Sequence, residues 1–210
     1  MGFMQAEAIR QEICEVGKLL YEHKLVAASE GNISMRLNNG EILITPSGVC
    51  KGRLEPAMLV RCMSDGTVCT DDTSGYTPSS EIGLHLRIYQ ERPDVAAVVH
   101  AHPPIATAFG VLHKALDGRY LPEALMGIGE VPVCDYAPPS SAGVADNIMP
   151  FVHDHNAALM ARHGAVSWGK NLWQAFDYME ELEHIARIYA AVEQLGGAEV
   201  FDGEELGRHE

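Results

Sequence analysis

Val95-Ala96-Ala97-Val98-Val99-His100-Ala101-His102-Pro103-Pro104 is an apolar, β-branched run closed by prolines, with Pro93 just upstream. Such a run predicts a strand over residues 95–99, and strand side chains of like parity share one face. His100 and His102 then point the same way, beyond the strand's end. Two imidazoles hydrogen-bonding there would show the same spacing, and a metal asks for about three or four N, O or S donors converging from different elements. Two further residues are candidates for that set. Glu81 lies in Pro78-Ser79-Ser80-Glu81, where a polar turn feeds a helix, and His163 lies in Arg162-His163-Gly164, after the apolar stretch 157–161. A second pair of the same spacing, His153-Asp154-His155, sits in a polar turn and reads as solvated.

A chain of 210 residues, 47% hydrophobic and 21% charged, fits one ordinary globular domain with helices around a sheet. The formal charge of -14 argues against a broad nucleic-acid footprint, which needs clustered Lys and Arg. An anionic substrate must therefore be held by local donors against the average field. The five cysteines form no Cys-x-x-Cys pair and leave one over under any pairing, so reduced thiols are expected. Residues 1–10 lack a signal-peptide pattern and no apolar run is long enough to span a bilayer. The expectation is a soluble, cytoplasmic protein with no membrane partner.

Outward from the central strand, apolar residues at Ile9, Ile13, Val16, Leu19 and Leu20 predict an amphipathic helix over 6–23. Asn38-Asn39-Gly40 between the runs 33–37 and 41–45 predicts a hairpin, because both positions of an Asn-Gly turn can adopt positive φ. Asp65-Gly66 predicts another between 59–63 and 67–70. Ser79 or Ser80 is expected to cap a helix ended by Pro93, with Glu81 in its first turn, where the macrodipole favours a carboxylate whatever its chemistry. Residues 104–112 and 144–152 read as helices, and 157–161 and 165–168 as strands. Residues 117–142 are rich in Gly and Pro, with a strand placed only at 131–134. A long helix is expected over 172–194, carrying an exposed Glu180–His184 pair and ended by Gly196-Gly197.

Three loops offer the same chemistry: Ser29 with Gly31-Asn32, Ser47-Gly48, and Ser79-Ser80. Hydroxyl and amide donors on glycine-bearing loops can approach an anion closely, and the last loop would add a helix N-terminus. Any one alone is a turn; together they could form a neutral anion cradle. Lys51 and Arg53, following the second loop, either offset part of the acidic background or are simply solvated.

Assembled in this order, Gly31-Asn32-Ile33-Ser34, Ile44-Thr45-Pro46-Ser47-Gly48, Pro78-Ser79-Ser80-Glu81, Val99-His100-Ala101-His102 and His163-Gly164 resemble the class II aldolase and epimerase family. That family is typified by L-fuculose-phosphate aldolase and L-ribulose-phosphate 4-epimerase. The resemblance spans nearly the whole chain and implies one catalytic domain over 1–197, followed by an acidic tail at 198–210. The implied fold is α/β, a three-layer domain with a central, mainly antiparallel sheet and helices on both faces. The implied site has His100, His102 and His163 on one zinc per subunit, and Glu81 as catalytic acid/base and further zinc ligand. Gly31, Asn32, Ser47, Gly48, Ser79 and Ser80 match the phosphate cradle, and Ser29 is added to it as a further candidate. The implied reaction is reversible cleavage of a ketose 1-phosphate to dihydroxyacetone phosphate and an aldehyde, in a four-fold homotetramer with sites near subunit boundaries. L-fuculose 1-phosphate or a deoxy- or methylthio-pentulose 1-phosphate is the expected substrate. The same scaffold carries 4-epimerase, dehydratase and decarboxylase chemistry, and adducin-like relatives act as binding modules. One departure stands out. Met126 occupies the place of the family's mid-chain tyrosine and no tyrosine follows Gly197, so the aldehyde-side proton donor is unassigned and short or apolar aldehydes are expected.

Overall fold

The central run forms strand β4 (Ala97–Ala101), and every one of its residues is buried. Ala97, Val99 and Ala101 enter one apolar cluster and Val98 the other, so successive side chains serve opposite faces of one sheet. Full burial of each Val contributes about 1.5–3 kcal/mol. A computed structural model describes residues 2–200. In it β4 is the middle of a seven-stranded sheet of order β3-β2-β1-β4-β7-β6-β5. The other strands are β1 (Asn32–Arg36), β2 (Ile42–Ile44), β3 (Val60–Cys62), β5 (Val133–Cys134), β6 (Ala157–Met160) and β7 (Gly164–Gly169). All pairings are antiparallel except β5 with β6.

Helices cover both faces, giving the three expected layers in a single α/β domain. Helices α1 (Gly2–Glu22), α3 (Pro104–Val111) and α6 (Leu172–Gln194) pack on one face through Ile13, Val16, Ala106, Phe176 and Leu182. Helices α2 (Ile82–Glu91) and α5 (Ala142–Ile148) pack on the other through Leu84, Ile88, Val144 and Ile148, against Val98, Val166 and Trp168. A short α4 (Pro122–Gly127) occupies the segment where the pattern was unreadable. Asn171 starts α6 by accepting a hydrogen bond from the Gln174 backbone N–H at 2.8 Å. No helix among the described residues is long and apolar enough to cross a membrane. Most of the expected tail, 201–210, lies outside the described residues.

Several local expectations need correction. In the β1–β2 turn the Gly40 N–H bonds to Leu37 O and only Gly40 takes positive φ, so the loop is a three-residue turn rather than a paired Asn-Gly one. Beyond β3 the chain makes a single bridge, Cys62 with Val68, instead of a second full strand. The cap position of α2 is Glu81 itself; Ser79 Oγ accepts from the Glu81 N–H at 3.3 Å and does not cap the helix. Residues 149–151 form a 3-10 turn after α5 rather than its continuation. Glu180 pairs with His23 at the end of α1, across 157 positions, and not with His184 one turn away.

Candidate active site

The sheet's hydrogen bonding assembles the site. Pairing of β1 with β4 sets Asn32 opposite His100, and pairing of β4 with β7 sets Ala101 opposite Ala165, so His163-Gly164 enters β7 beside the histidines. His102 lies one residue past β4, its N–H bonded to Leu25 O at 3.0 Å. The ligand-type atoms of His100, His102 and His163 all lie within 4.8 Å of one another. Glu81, at the start of α2, places Oε2 3.1 Å from His100 Nε2 and Oε1 3.4 Å from His163 Nε2.

Two glycines make this convergence possible. Gly31 has φ +72°, and a Cβ there would stand 2.7 Å from His100 O and 2.8 Å from Val26 Cγ1. At Gly164 a Cβ would meet Ala101 O and come within 2.6 Å of His102 Cδ2, so only glycine leaves room for the ring.

The donor set suits a cation. His100 Nδ1–H donates to Ala165 O at 2.9 Å, which turns the lone pair of Nε2 toward the cluster. That nitrogen then faces an acceptor, Glu81 Oε2 at 3.1 Å, and lies 3.2 Å from His102 Nε2. Glu81 Oε1 is buried without a hydrogen-bond donor. Burial above all holds His102 and His163 below the ordinary histidine range, His163 to about 4, which favours the neutral imidazole a metal requires. Burial opposes ionisation of Glu81, but with a proton on His100 in the place of a cation, His100, His163 and Asn32 outweigh it and hold the carboxyl well below its usual range.

Behind Glu81 runs a buried chain of polar side chains that the sequence reading passed over. Asn32 Nδ2 donates to Glu81 Oε2 at 3.0 Å, so its Oδ1 accepts from His85 Nε2–H at 2.5 Å. His85 Nδ1 is therefore unprotonated and accepts from Ser34 Oγ–H at 2.7 Å, while Tyr89 donates to Ser34 O at 3.0 Å. The i,i+4 spacing of Glu81 and His85 on one helix was the available signal. Burial, reinforced by His100, lowers His85 from 6.5 to about 3. The unfolded chain thus binds this proton from pH 6.5 downward and the folded chain only near 3. Stability due to neutral His85 is complete above pH 6.5 and lost as pH falls toward 3, at no more than about 1.4 kcal/mol per pH unit for one proton. His102 and His163 add a slope of the same sign, so the readout is a difference. Urea midpoints between pH 7 and 4 should fall less steeply in His85→Gln than in the wild type, and parallel slopes would place that proton elsewhere.

All the expected cradle residues line one cavity of about 180 Å3 with the histidines and Glu81: Ser29, Gly31, Asn32, Ser47, Gly48, Ser79 and Ser80. Glu30, Lys51, Pro139 and Ser140 line it as well; Ser80 and Ser140 Oγ lie 2.8 Å apart, and Glu30 Oε2 lies 3.5 Å from His102 Nδ1. Lys51 is buried, correcting the solvated alternative, whereas Arg53 is exposed. Met126 is 79% exposed on α4 and is not among the residues lining the cavity. His153 and His155 are engaged at the surface, by Glu91 and by Glu130 O. A wider cleft of about 660 Å3 beside His23 and Glu180 holds none of the convergent donors, so the smaller cavity is the candidate site.

Residues 11–190 match the family described as Class II Aldolase and Adducin N-terminal domain. The chain is 33% identical over 187 residues to a 3-oxo-tetronate 4-phosphate decarboxylase of Escherichia coli, covering 87% of this chain and 86% of that protein. It is 35% identical over 181 residues to an L-fuculose phosphate aldolase of Methanococcus maripaludis, covering 84% and 93%. The solved structure of an L-fuculose 1-phosphate aldolase superposes with a TM-score of 0.85 at 30% identity, over 95% of this chain and 92% of that one.

Proposed function

Because the chain belongs to the class II aldolase and adducin N-terminal domain family, we propose that it cleaves a carbon–carbon bond beside the carbonyl of a phosphorylated sugar derivative. In the first reading it is a zinc-dependent aldolase, taking a ketose 1-phosphate such as L-fuculose 1-phosphate or a deoxy- or methylthio-pentulose 1-phosphate to dihydroxyacetone phosphate and an aldehyde. One observation carries the reading: a single cavity sets three imidazoles and Glu81 against loops of neutral donors. His100, His102 and His163 would hold one zinc per subunit, with Glu81 as a further ligand. Zinc supplies Lewis acidity, which stabilises negative charge developing on substrate oxygen more than it does the neutral ketone.

The remaining work falls to side chains. Ser29, Gly31, Asn32, Ser47, Gly48, Ser79 and Ser80 would hold the phosphate, and that anchoring presents the reacting carbon to Glu81. Glu81 would move the proton at that carbon, worth about 10²–10⁴-fold for a matched group. His85, through Asn32, keeps the carboxylate pointed at the cluster. An adducin-like binding module has no need of these groups. We include in the proposal the cytoplasmic homotetramer that the family resemblance implies.

A second reading, decarboxylation of a 3-oxo sugar-acid phosphate, is favoured by the Escherichia coli relative. Aldol cleavage must remove the proton of the hydroxyl carried by the carbon that becomes the aldehyde. Loss of carbon dioxide removes none, and so needs no tyrosine there. Zinc-loaded protein should be given dihydroxyacetone phosphate with a panel of aldehydes, and separately 3-oxo-tetronate 4-phosphate. Condensation products are the expected result. Carbon dioxide release without condensation transfers the protein to the second reading, and neither product overturns both.

A further inference from the structure

Lys51 is among the largest fully buried side chains of the protein, at 1% exposure, yet it carries an ammonium. Its Nζ donates to Ser29 O at 3.0 Å and Val49 O at 2.7 Å. Among the described residues no carboxylate pairs with it, and burial pulls it down from 10.5 to about 8. The residue is pinned from outside: a Cβ at Gly17 of α1 would stand 2.8 Å from Lys51 O, so α1 closes directly over this turn. A buried charge without a counter-ion costs several kcal/mol. An ammonium has three N–H groups, and two are spent on carbonyls.

The third has the cavity to meet, because Lys51 lines it beside Ser29, Ser47, Gly48 and Ser80. The two carboxylates of that cavity are turned to imidazoles, Glu81 to His100 and His163 and Glu30 to His102. The lysine end is therefore a wall of donors with one positive charge and no anion. We propose that Lys51 is the charge partner of the substrate's phosphoryl group, and that the site selects phosphate monoesters over unphosphorylated analogues through it. The substrate class rests on the sugar-phosphate reading above; the binding test does not require turnover. A phosphate group fits this wall better than a carboxylate, since its three terminal oxygens can accept from the lysine, the 47–48 loop and the 79–80 loop at once.

The test is calorimetric titration of zinc-loaded protein with inorganic phosphate and with glycerol 3-phosphate, in the wild type and in Lys51→Met. The variant should bind both probes roughly 10- to 150-fold more weakly, the range for losing a hydrogen bond to a charged group. Its zinc content should match the wild type's and its ligand-free urea midpoint should change little, because relief of an unpaired buried charge offsets the loss of a donor to two carbonyls. A purely structural lysine gives the opposite pattern, a lowered midpoint with unchanged phosphate affinity, and that result overturns the assignment even if the variant is only marginally folded. A wild type that binds neither probe overturns the sugar-phosphate reading together with it.

Discussion

Glu81→Gln lowers kcat by about 10²–10⁴-fold while glycerol 3-phosphate still binds within a few-fold of wild type, if Glu81 carries the proton in the reaction. The substitution preserves shape and burial. The amide oxygen can keep the hydrogen bond from Asn32 Nδ2 that Glu81 Oε2 now accepts at 3.0 Å, and its nitrogen falls where Glu81 Oε1 faces His163. What it removes is the ability to take up and release a proton. Zinc content should remain near wild type because three imidazoles persist. Asn32 Nδ2 donates to this carboxyl and two imidazoles face it, so in the proposed reaction it takes a proton only once substrate has drawn it away from them. The loss should therefore fall on kcat and leave ligand affinity alone. Near-normal turnover in Glu81→Gln would reduce Glu81 to the acid at a helix start that its position alone explains.

The parts of the site legible in the sequence are those that local geometry decides. Strand parity brought His100 and His102 to one side of β4, and the apolar runs around His163 located β6 and β7. The three small-residue loops were recognisable because donors beside glycine are written in consecutive residues. What stayed hidden depends on contacts between distant segments. Lys51 follows a polar loop and looks solvated until α1 is seen packed over it at Gly17. His85 looks like one more buried helix residue until Asn32 and Ser34, brought alongside by β1, occupy both its nitrogens. The Glu180 pairing failed for the same reason, since His23, just past α1, took precedence over the neighbour one turn away. Met126 shows the limit from the other side. In a Gly- and Pro-rich segment the family resemblance gave it a role, but the described chain leaves it out of the cavity, so the expected preference for apolar aldehydes loses its structural support within one subunit.

His163→Ala and His100→Ala should each abolish the zinc binding proposed for this site. The three imidazoles come from two strand ends, and no other group of three His, Cys, Asp or Glu among the described residues brings its donor atoms together in this way. Losing an outer-shell partner already costs about 10–100-fold in metal affinity; losing a first ligand costs more. His163→Ala is the cleaner test, because His100 also spends Nδ1 on Ala165 O and its removal opens a space inside the sheet. Metal analysis after dialysis gives the occupancy, and thermal unfolding gives an independent reading. A ligand that binds only the folded state raises its melting temperature by mass action. Added zinc should therefore raise Tm in the wild type and leave Tm of His163→Ala unmoved. The variant's metal-free Tm should lie close to that of the metal-free wild type, since its ring stands against other acceptors rather than in a hydrophobic core. Full zinc occupancy in the variant would remove His163 from the ligand set. The surface pair His153 and His155 would then be the next residues to replace, because the same two-residue spacing there has hydrogen-bond partners that a metal could displace.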